Sequence, residues 1–171
     1  KYDLIVIGGG PAGYLGAQRA ANEGFNTLLI EGRTVGGVCL NEGCIPSKTL
    51  LNSAKIYDYA RFSDKYGVTA KEVTFDHSKV IKRKNKVVRT LVSGINSQLK
   101  AAKVTVVKGY GRIDGKNDDG YMVKVEDETY VGSRLMIATG SMPIIPPIPG
   151  VKEGIEEGRV LTNREILDLK E

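Results

Sequence analysis

The chain has 171 residues, a net charge of +5 from 25 Lys and Arg against 20 Asp and Glu, and 41% apolar residues. Such a chain is one globular domain with enough residues to bury a core, too apolar and too weakly charged for disorder. Apolar runs such as Leu135–Ala138 end far short of the roughly 18 residues of a membrane helix, Tyr2-Asp3 argues against a signal peptide, and two cysteines exclude a disulfide-framework fold.

Leu4-Ile5-Val6-Ile7 is a continuous, β-branched apolar run ended by Gly8-Gly9-Gly10, and reads as a buried parallel strand. Pro11 at a first helical position and Gly24 at a stop bracket a helix over Ala12–Glu23. Thr27–Ile30 is a second buried strand, ending at Glu31. Together these make a β-α-β unit of about thirty residues. Gly32–Pro46 is Gly-rich and carries both cysteines. A helix is predicted from Ser47, where Leu50, Leu51, Ala54, Tyr57 and Arg61 recur at three and four.

A longer helix is predicted from about Phe75 or Ser78 to Ala102. Its apolar stripe is Val80, Val87, Leu91, Ile95 and Leu99. Lys82, Arg83, Lys84, Lys86 and Arg89 are expected on its solvated outer side. From Val104 the period changes to two, with short strands at 104–107, 110–113, 121–126 and 129–131. Arg134–Thr139 reads as one more buried strand. Pro143, Pro146, Pro147 and Pro149 force an extended connection, and Leu161–Glu171 reads as a helix capped by Thr162 or Asn163. No repeat or low-complexity tract is present. The expected fold class is α/β: a Rossmann-like domain with a parallel sheet, plus a small antiparallel β-meander at about 104–131.

Gly8-Gly9-Gly10-Pro11-Ala12-Gly13 is a G-x-G-x-x-G between a predicted strand and a predicted helix, with an acid at the end of the next strand. Gly8 permits the tight turn, Gly10 lets a pyrophosphate approach the backbone, and Gly13 lets helix and strand pack closely. The helix N-terminus offers unpaired N–H groups and roughly +0.5 charge. Glu31 can accept hydrogen bonds from an adenosine ribose, and its charge disfavours the 2′-phosphate of NADP. FAD and NAD both use this motif.

Cys39 and Cys44 enclose Leu40-Asn41-Glu42-Gly43. Zinc needs about four ligands, and the chain offers these two cysteines and His77, its one histidine; no metal site is expected. A structural staple over so short a loop contributes only roughly 2 kcal/mol. A redox-active dithiol is the third reading. Cys44 lies close to a helix N-terminus and Lys48 adds positive charge, both favouring a thiolate. Glu42 acts in the opposite sense unless it points to solvent.

Gly36-Gly37-Val38-Cys39-Leu40-Asn41-Glu42-Gly43-Cys44-Ile45-Pro46-Ser47-Lys48 closely resembles the redox-active segment of the flavoprotein disulfide reductases, the pyridine nucleotide–disulfide oxidoreductases. Leu40, Ile45 and Ser47 are similar to the dihydrolipoyl dehydrogenase branch; glutathione and mercuric reductases tend to carry Val at the first two positions. Ile137-Ala138-Thr139-Gly140-Ser141 resembles the family's second flavin-binding segment, and Gly109-Tyr110-Gly111 its loop near the adenine end. Val38 stands where Thr is common, and Glu42 where Val is common.

The resemblance implies that FAD is held by Gly8, Gly10 and Gly13 at the pyrophosphate and by Glu31 at the ribose, with Pro11, Ala12 and Gly32 also in the cofactor site. Gly37, Val38, Gly109, Tyr110, Gly111, Ala138, Thr139, Gly140 and Ser141 complete the cofactor site. Cys39 is implied as the interchange thiol, Cys44 as the thiol against the flavin, and Lys48 as a neighbour of the isoalloxazine. The implied reaction oxidises dihydrolipoamide to lipoamide through a Cys39–Cys44 disulfide and FAD, with NAD+ as final acceptor. The alternatives are another reductase of the glutathione or mercuric type, or a non-catalytic nucleotide-binding module, for which the cysteines would be free and unlinked.

Family members are far longer, with an NAD-binding unit and a C-terminal dimerisation domain that carries a catalytic His–Glu pair. No second G-x-G-x-x-G follows Gly13. The expectation is therefore a fragment: 1–150 as the FAD-binding domain and 151–171 as a connection toward the absent NAD-binding domain, without full turnover alone. Implied partners are a small-molecule or protein-borne lipoyl substrate, a second subunit in a homodimer, and α-keto acid dehydrogenase or glycine cleavage components. Nucleic acid is not expected, because no aromatic platform accompanies the basic helix. The implied location is the bacterial cytoplasm, or the mitochondrial matrix in a eukaryote. His77 is read as a helix-start or surface histidine, and Tyr57, Tyr59 and Tyr66 as half-buried packing.

Overall fold

The two continuous apolar runs lie side by side at the centre of a six-stranded sheet. The structure, a computed structural model, describes residues 1–169. The strand order is β3 (Thr105–Lys108), β2 (Thr27–Glu31), β1 (Tyr2–Ile7), β6 (Glu128–Ile137), β5 (Gly120–Val125), β4 (Arg112–Asn117). β1 pairs in parallel with β2 and β6, and β2 with β3. Ile5 stands opposite Leu28 on one side and Leu135 on the other. Strands buried on both faces must be apolar at every position, which is why these runs do not alternate. Ile5, Val6, Leu28 and Leu29 are inaccessible to solvent.

Among the described residues, six α-helices follow one another along the chain: α1 (Pro11–Asn22), α2 (Gly37–Glu42), α3 (Cys44–Arg61), α4 (His77–Ala101), α5 (Val151–Glu156) and α6 (Asn163–Ile166). α1 is the crossover from β1 to β2 and packs on both. The mixed α/β fold expected from the sequence is therefore present, with several local differences.

The cysteine segment, for which the sequence predicts no element, is helical. Cys39 lies within α2, and α3 begins at Cys44, not near Ser47. Pro46 sits inside the first turn of α3, where its missing N–H is one that has no intrahelical partner anyway. The meander is also smaller than 104–131. β3 joins the parallel half of the sheet, leaving β4, β5 and β6 as the antiparallel part. The expected strands at 129–131 and 134–139 are one ten-residue strand, β6. Its first half pairs antiparallel with β5, and its second half parallel with β1. β6 is not fully buried as expected: Ile137, five positions beyond the last residue that β5 pairs with, is 62% exposed. The strand expected at 110–113 starts only at Arg112, and Tyr110 precedes it.

The described chain separates into two compact units. The first comprises 1–41 and 90–141. Its core is Ile5, Ile7, Leu28, Ile30, Val123 and Val125, with Tyr2, Val107, Tyr130 and Leu135 packed against it. The second comprises 42–89 and the residues from 142 onward. In it α4 begins at His77, between the two expected starts, and Asp76 caps it: its Oδ1 accepts from the Lys79 N–H at 3.1 Å and the Ser78 hydroxyl at 2.7 Å.

Lys84 departs from the expected solvated face. Val80, Lys84, Val87, Leu91, Ile95 and Leu99 fall at spacings of four and three, so Lys84 stands within the apolar stripe. It is 3% exposed. Its Nζ donates to the Leu167 carbonyl at 2.9 Å and pairs with Asp168 Oδ1. Arg83 Nη1 donates to the Thr49 carbonyl. His77 is the first residue of α4 and its Nε2 lies 2.8 Å from the Leu169 carbonyl. Tyr57 is half-buried and meets Phe75 edge-on, but Tyr59 and Tyr66 are exposed.

Residues 143–149 carry no regular structure and are exposed, as four prolines dictate. The helix expected over 161–171 is the single turn α6. Thr162 caps it through a capping box: its hydroxyl accepts from the Arg164 N–H, and Glu165 reaches back to the Thr162 N–H at 2.7 Å. Residues 170 and 171 lie outside the described residues. No described helix is long and apolar enough to cross a membrane.

Candidate functional site

The chain turns from β1 into α1 through Gly8, Gly9 and Gly10, and two glycines of the motif, Gly8 and Gly13, have no room for a side chain. Gly8 has φ +102°, and a Cβ there would lie 2.2 Å from the Ala138 carbonyl oxygen. A Cβ on Gly13 would lie 1.7 Å from the Gly8 carbonyl oxygen. Neither site admits any other residue without moving backbone. Gly10 is the N-cap of α1, and no side chain caps that helix. The first intrahelical bond runs from Tyr14 N–H to Gly10 O at 2.9 Å. Pro11 has no N–H, so the Ala12 and Gly13 N–H groups head the helix dipole with no side chain over them. This is a backbone cradle suited to a diphosphate.

Glu31 ends β2 beside this turn. Its Oε2 accepts the Gly9 N–H at 2.6 Å and its Oε1 the Arg33 N–H at 2.7 Å. A carboxylate has about four lone-pair sites, so each oxygen keeps one for a ribose hydroxyl. Gly32 lies under Tyr110: a Cβ on it would meet the ring at 2.6 Å. Gly109 has φ +153° and donates its N–H to the Glu31 carbonyl at 2.9 Å. Gly111 faces Val123, Ile7 and Ile30. The Gly109–Gly111 loop is thereby brought to the end of β2, while the Tyr110 side chain is 75% exposed. Ala138 donates its N–H to the Ile7 carbonyl at 2.8 Å, beside Gly8. Thr139, Gly140 and Ser141 follow it, exposed. The carboxyl ends of β1, β2 and β6, together with the residue after β3, thus converge on one edge of the sheet, where ligands bind in open α/β sheets.

The cysteine segment starts from this same edge. Gly36 donates its N–H to the Gly9 carbonyl at 2.8 Å. A Cβ on Gly37 would lie 2.7 Å from Gly10 Cα. Gly37 opens α2, which carries Val38, partly exposed, and Cys39. Cys39 and Cys44 are disulfide-bonded to each other. Both sulfurs are consumed by that bond, which contradicts the free cysteines of a non-catalytic module. Cys44 is the first residue of α3, closer to the helix dipole than the sequence implied. Lys48 follows one turn later on α3 and is exposed.

The role of Asn41 and the partners of Glu42 escaped the sequence reading. Asn41 Nδ2 donates to the carbonyls of Val35 at 3.2 Å and Gly37 at 3.0 Å, and at 3.4 Å to that of Thr34. It ties the Gly-rich loop to α2; its place between the cysteines was the available signal. Glu42 does not point to solvent. Arg164 Nε donates to its Oε2 at 2.6 Å, and Asn163 Nδ2 to its main-chain oxygen at 2.9 Å. No local signal links residues so far apart in the chain.

The model of the family described as pyridine nucleotide-disulphide oxidoreductase matches residues 2–171. A dihydrolipoyl dehydrogenase of Acholeplasma laidlawii is 46% identical over 171 residues, covering 99% of this chain and 50% of the relative. One from Bacillus subtilis is 44% identical over 169 residues, covering 99% and 35%. Among solved structures, the HOCl-induced flavoprotein disulfide reductase RclA from Escherichia coli superposes with a TM-score of 0.77 at 29% identity, over 99% of this chain and 34% of that one. The chain spans half or less of the length of these curated relatives.

Proposed function

Because this chain belongs to the pyridine nucleotide–disulphide oxidoreductase family, we propose that it is the flavin-binding, disulfide-bearing part of a dihydrolipoyl dehydrogenase. Residues 1–150 form the FAD-binding part and 151–171 the connection onward. Ala12 and Gly13 N–H groups hold the FAD pyrophosphate over Gly8, Gly10 and Pro11, and the free lone pairs of Glu31 take the ribose. Gly32, Gly37, Val38, Gly109, Tyr110, Gly111 and Ala138–Ser141 line the rest. FAD, when bound, accepts two electrons and passes them as hydride to NAD+ in the intact enzyme.

The protein's own chemistry is thiol–disulfide exchange. A dihydrolipoamide thiolate attacks the Cys39 sulfur, the Cys39–Cys44 bond breaks, and Cys44 leaves as a thiolate. The substrate's second thiolate then attacks its own sulfur held on Cys39 and releases Cys39. Dihydrolipoamide has lost two electrons, becoming lipoamide, and the cysteines have gained them. The substrate's two protons pass to the departing thiolates or to solvent. The N-terminus of α3 and Lys48 stabilise the Cys44 thiolate.

The observation that carries this reading is the Gly36–Gly9 hydrogen bond with the Gly37–Gly10 contact. They seat the start of the cysteine helix directly against the glycine turn. A protein-borne lipoyl group of an α-keto acid dehydrogenase or glycine cleavage complex is the substrate in the intact homodimer, in the cytoplasm. An absorbance spectrum tests the core of the reading. Purified protein with bound flavin should gain a long-wavelength charge-transfer band on reduction by one equivalent of dithiol. Cys44→Ser should remove that response and keep the flavin. Bound flavin with no such band in the unmodified protein would refute the reading. The dihydrolipoyl branch is tested in the intact enzyme, which should oxidise dihydrolipoamide with NAD+ and leave glutathione disulfide untouched.

A further inference from the structure

We propose that Arg164 is a positioning residue for the disulfide: it offsets the Glu42 charge between the cysteines and so sets how readily the bond is reduced. The proposal rests on the redox reading of Cys39 and Cys44.

Glu42 is the last residue of α2, three positions after Cys39 and two before Cys44. Side chains three apart on a helix are neighbours, with Cβ atoms about 5–6 Å apart. A carboxylate on a neighbouring position of the same helix disfavours a thiolate on Cys39 and therefore favours the oxidised pair. Lys48 on α3 and the α3 N-terminus act in the opposite direction on Cys44. Glu42 is thus the charge that works against reduction.

Its carboxylate is withheld from water. The Glu42 side chain is 15% exposed and that of Arg164 is 29% exposed. With Asn163 on the Glu42 carbonyl and Arg164 on its carboxylate, α6 grips one residue at two points. α6 is itself fixed by its capping box, and the residues after it by Lys84 on Leu167 and Asp168 and by His77 on Leu169. A guanidinium held this firmly is a permanent counter-charge rather than a passing surface contact.

The relevant equilibrium is Cys39–Cys44 disulfide plus two glutathione thiols giving two cysteine thiols plus glutathione disulfide. Two electrons and two protons move to the cysteines, and any cysteine left as thiolate releases its proton to solvent. The purified chain is equilibrated in glutathione buffers of graded ratio, trapped by alkylation, and its thiols counted by mass. Arg164→Gln takes that guanidinium charge away from Glu42, so the equilibrium constant for reduction should fall several-fold; a tenfold change is about 30 mV. Glu42→Gln should raise it, and the double variant should return near the original value. Arg164→Lys, which keeps the charge, should also stay near it.

A purely mechanical tie predicts something else, since both single variants break the same bond and should shift the equilibrium in one direction. Shifts of the same sign, or none, overturn the proposal. If Arg164→Gln fails to fold, as read by circular dichroism, Glu42→Gln and Arg164→Lys decide the question alone. An unmodified disulfide that glutathione and dithiols cannot reduce would instead defeat the redox reading itself.

Discussion

Gly8 and Gly24 both have positive φ, +102° and +91°, yet they constrain the chain differently. A Cβ on Gly24 meets nothing within 4 Å, whereas one on Gly8 collides with the Ala138 backbone. Gly8→Ala should therefore lower stability by roughly 1–3 kcal/mol or more and abolish flavin retention, while Gly24→Ala shows only the backbone strain and keeps the flavin. Urea unfolding and the flavin absorbance of the purified variants check this. Asp76 gives a pH-dependent counterpart. The Ser78 hydroxyl, then the Lys79 N–H, hold its carboxyl down at about 2 from an ordinary 3.8. A depressed folded-state pKa contributes stability that is present above 3.8 and lost as pH falls toward 2. Asp76→Ala should melt below the parent protein at neutral pH, and the gap should close across that acid window. The group is exposed, so the effect is modest.

At the scale of elements, α4 shows how a charge can occupy a core stripe. Lys84 takes the place of an apolar residue in the repeat, and its stem packs while its ammonium reaches Leu167 and Asp168. Lys84→Met keeps the stem and loses both polar partners. It should cost about 1–3 kcal/mol and speed proteolysis within 160–169, whereas Lys86→Met on the solvated side should stay within about 0.5 kcal/mol. Chemical unfolding with limited digestion distinguishes them. This position also marks where sequence reading stopped. The β1–α1–β2 unit was legible because each of its signals is local: an apolar run, a glycine turn, Pro11, an acid at the next strand end. Lys84 and Glu42 were not legible, because their partners lie 84 and 122 positions away and charge alone reads as exposure. The helix that carries Cys39 leaves no sequence signal for a related reason: α2 is only six residues long, with glycine at both of its boundaries and no periodicity to detect.

On the scale of the whole molecule, the candidate site was legible in its parts and illegible in its assembly. The glycine turn, Glu31 and the cysteines each announce a chemistry, and the resemblance of 36–48 to the disulfide reductases joins them. Hydrogen bonds from Gly9 to Glu31 and from Gly36 to Gly9 join those three, and what adds the 138–141 segment to them is β6. Its second half delivers Ala138 beside Gly8 through the Ala138–Ile7 hydrogen bond, and its register with β1 spans a separation of 130 residues, Ile7 against Ile137. Nothing in the strand sequence specifies that partner; Gly132 records it afterwards, since a Cβ there would lie 2.6 Å from Ile5.

That late arrival governs how a growing polypeptide behaves on its way to the native state. Until residue 137 has been synthesised, β1 keeps one row of amide and carbonyl groups unpaired next to the most apolar stretch of the chain. β2 can shield the other flank early, because only a short crossover separates it from β1. An open flank of this kind invites pairing between neighbouring nascent chains. Long-range closure of this type is also the slow step in assembling a sheet. The strand that finishes the cofactor edge is thus the same one that ends the period of exposure.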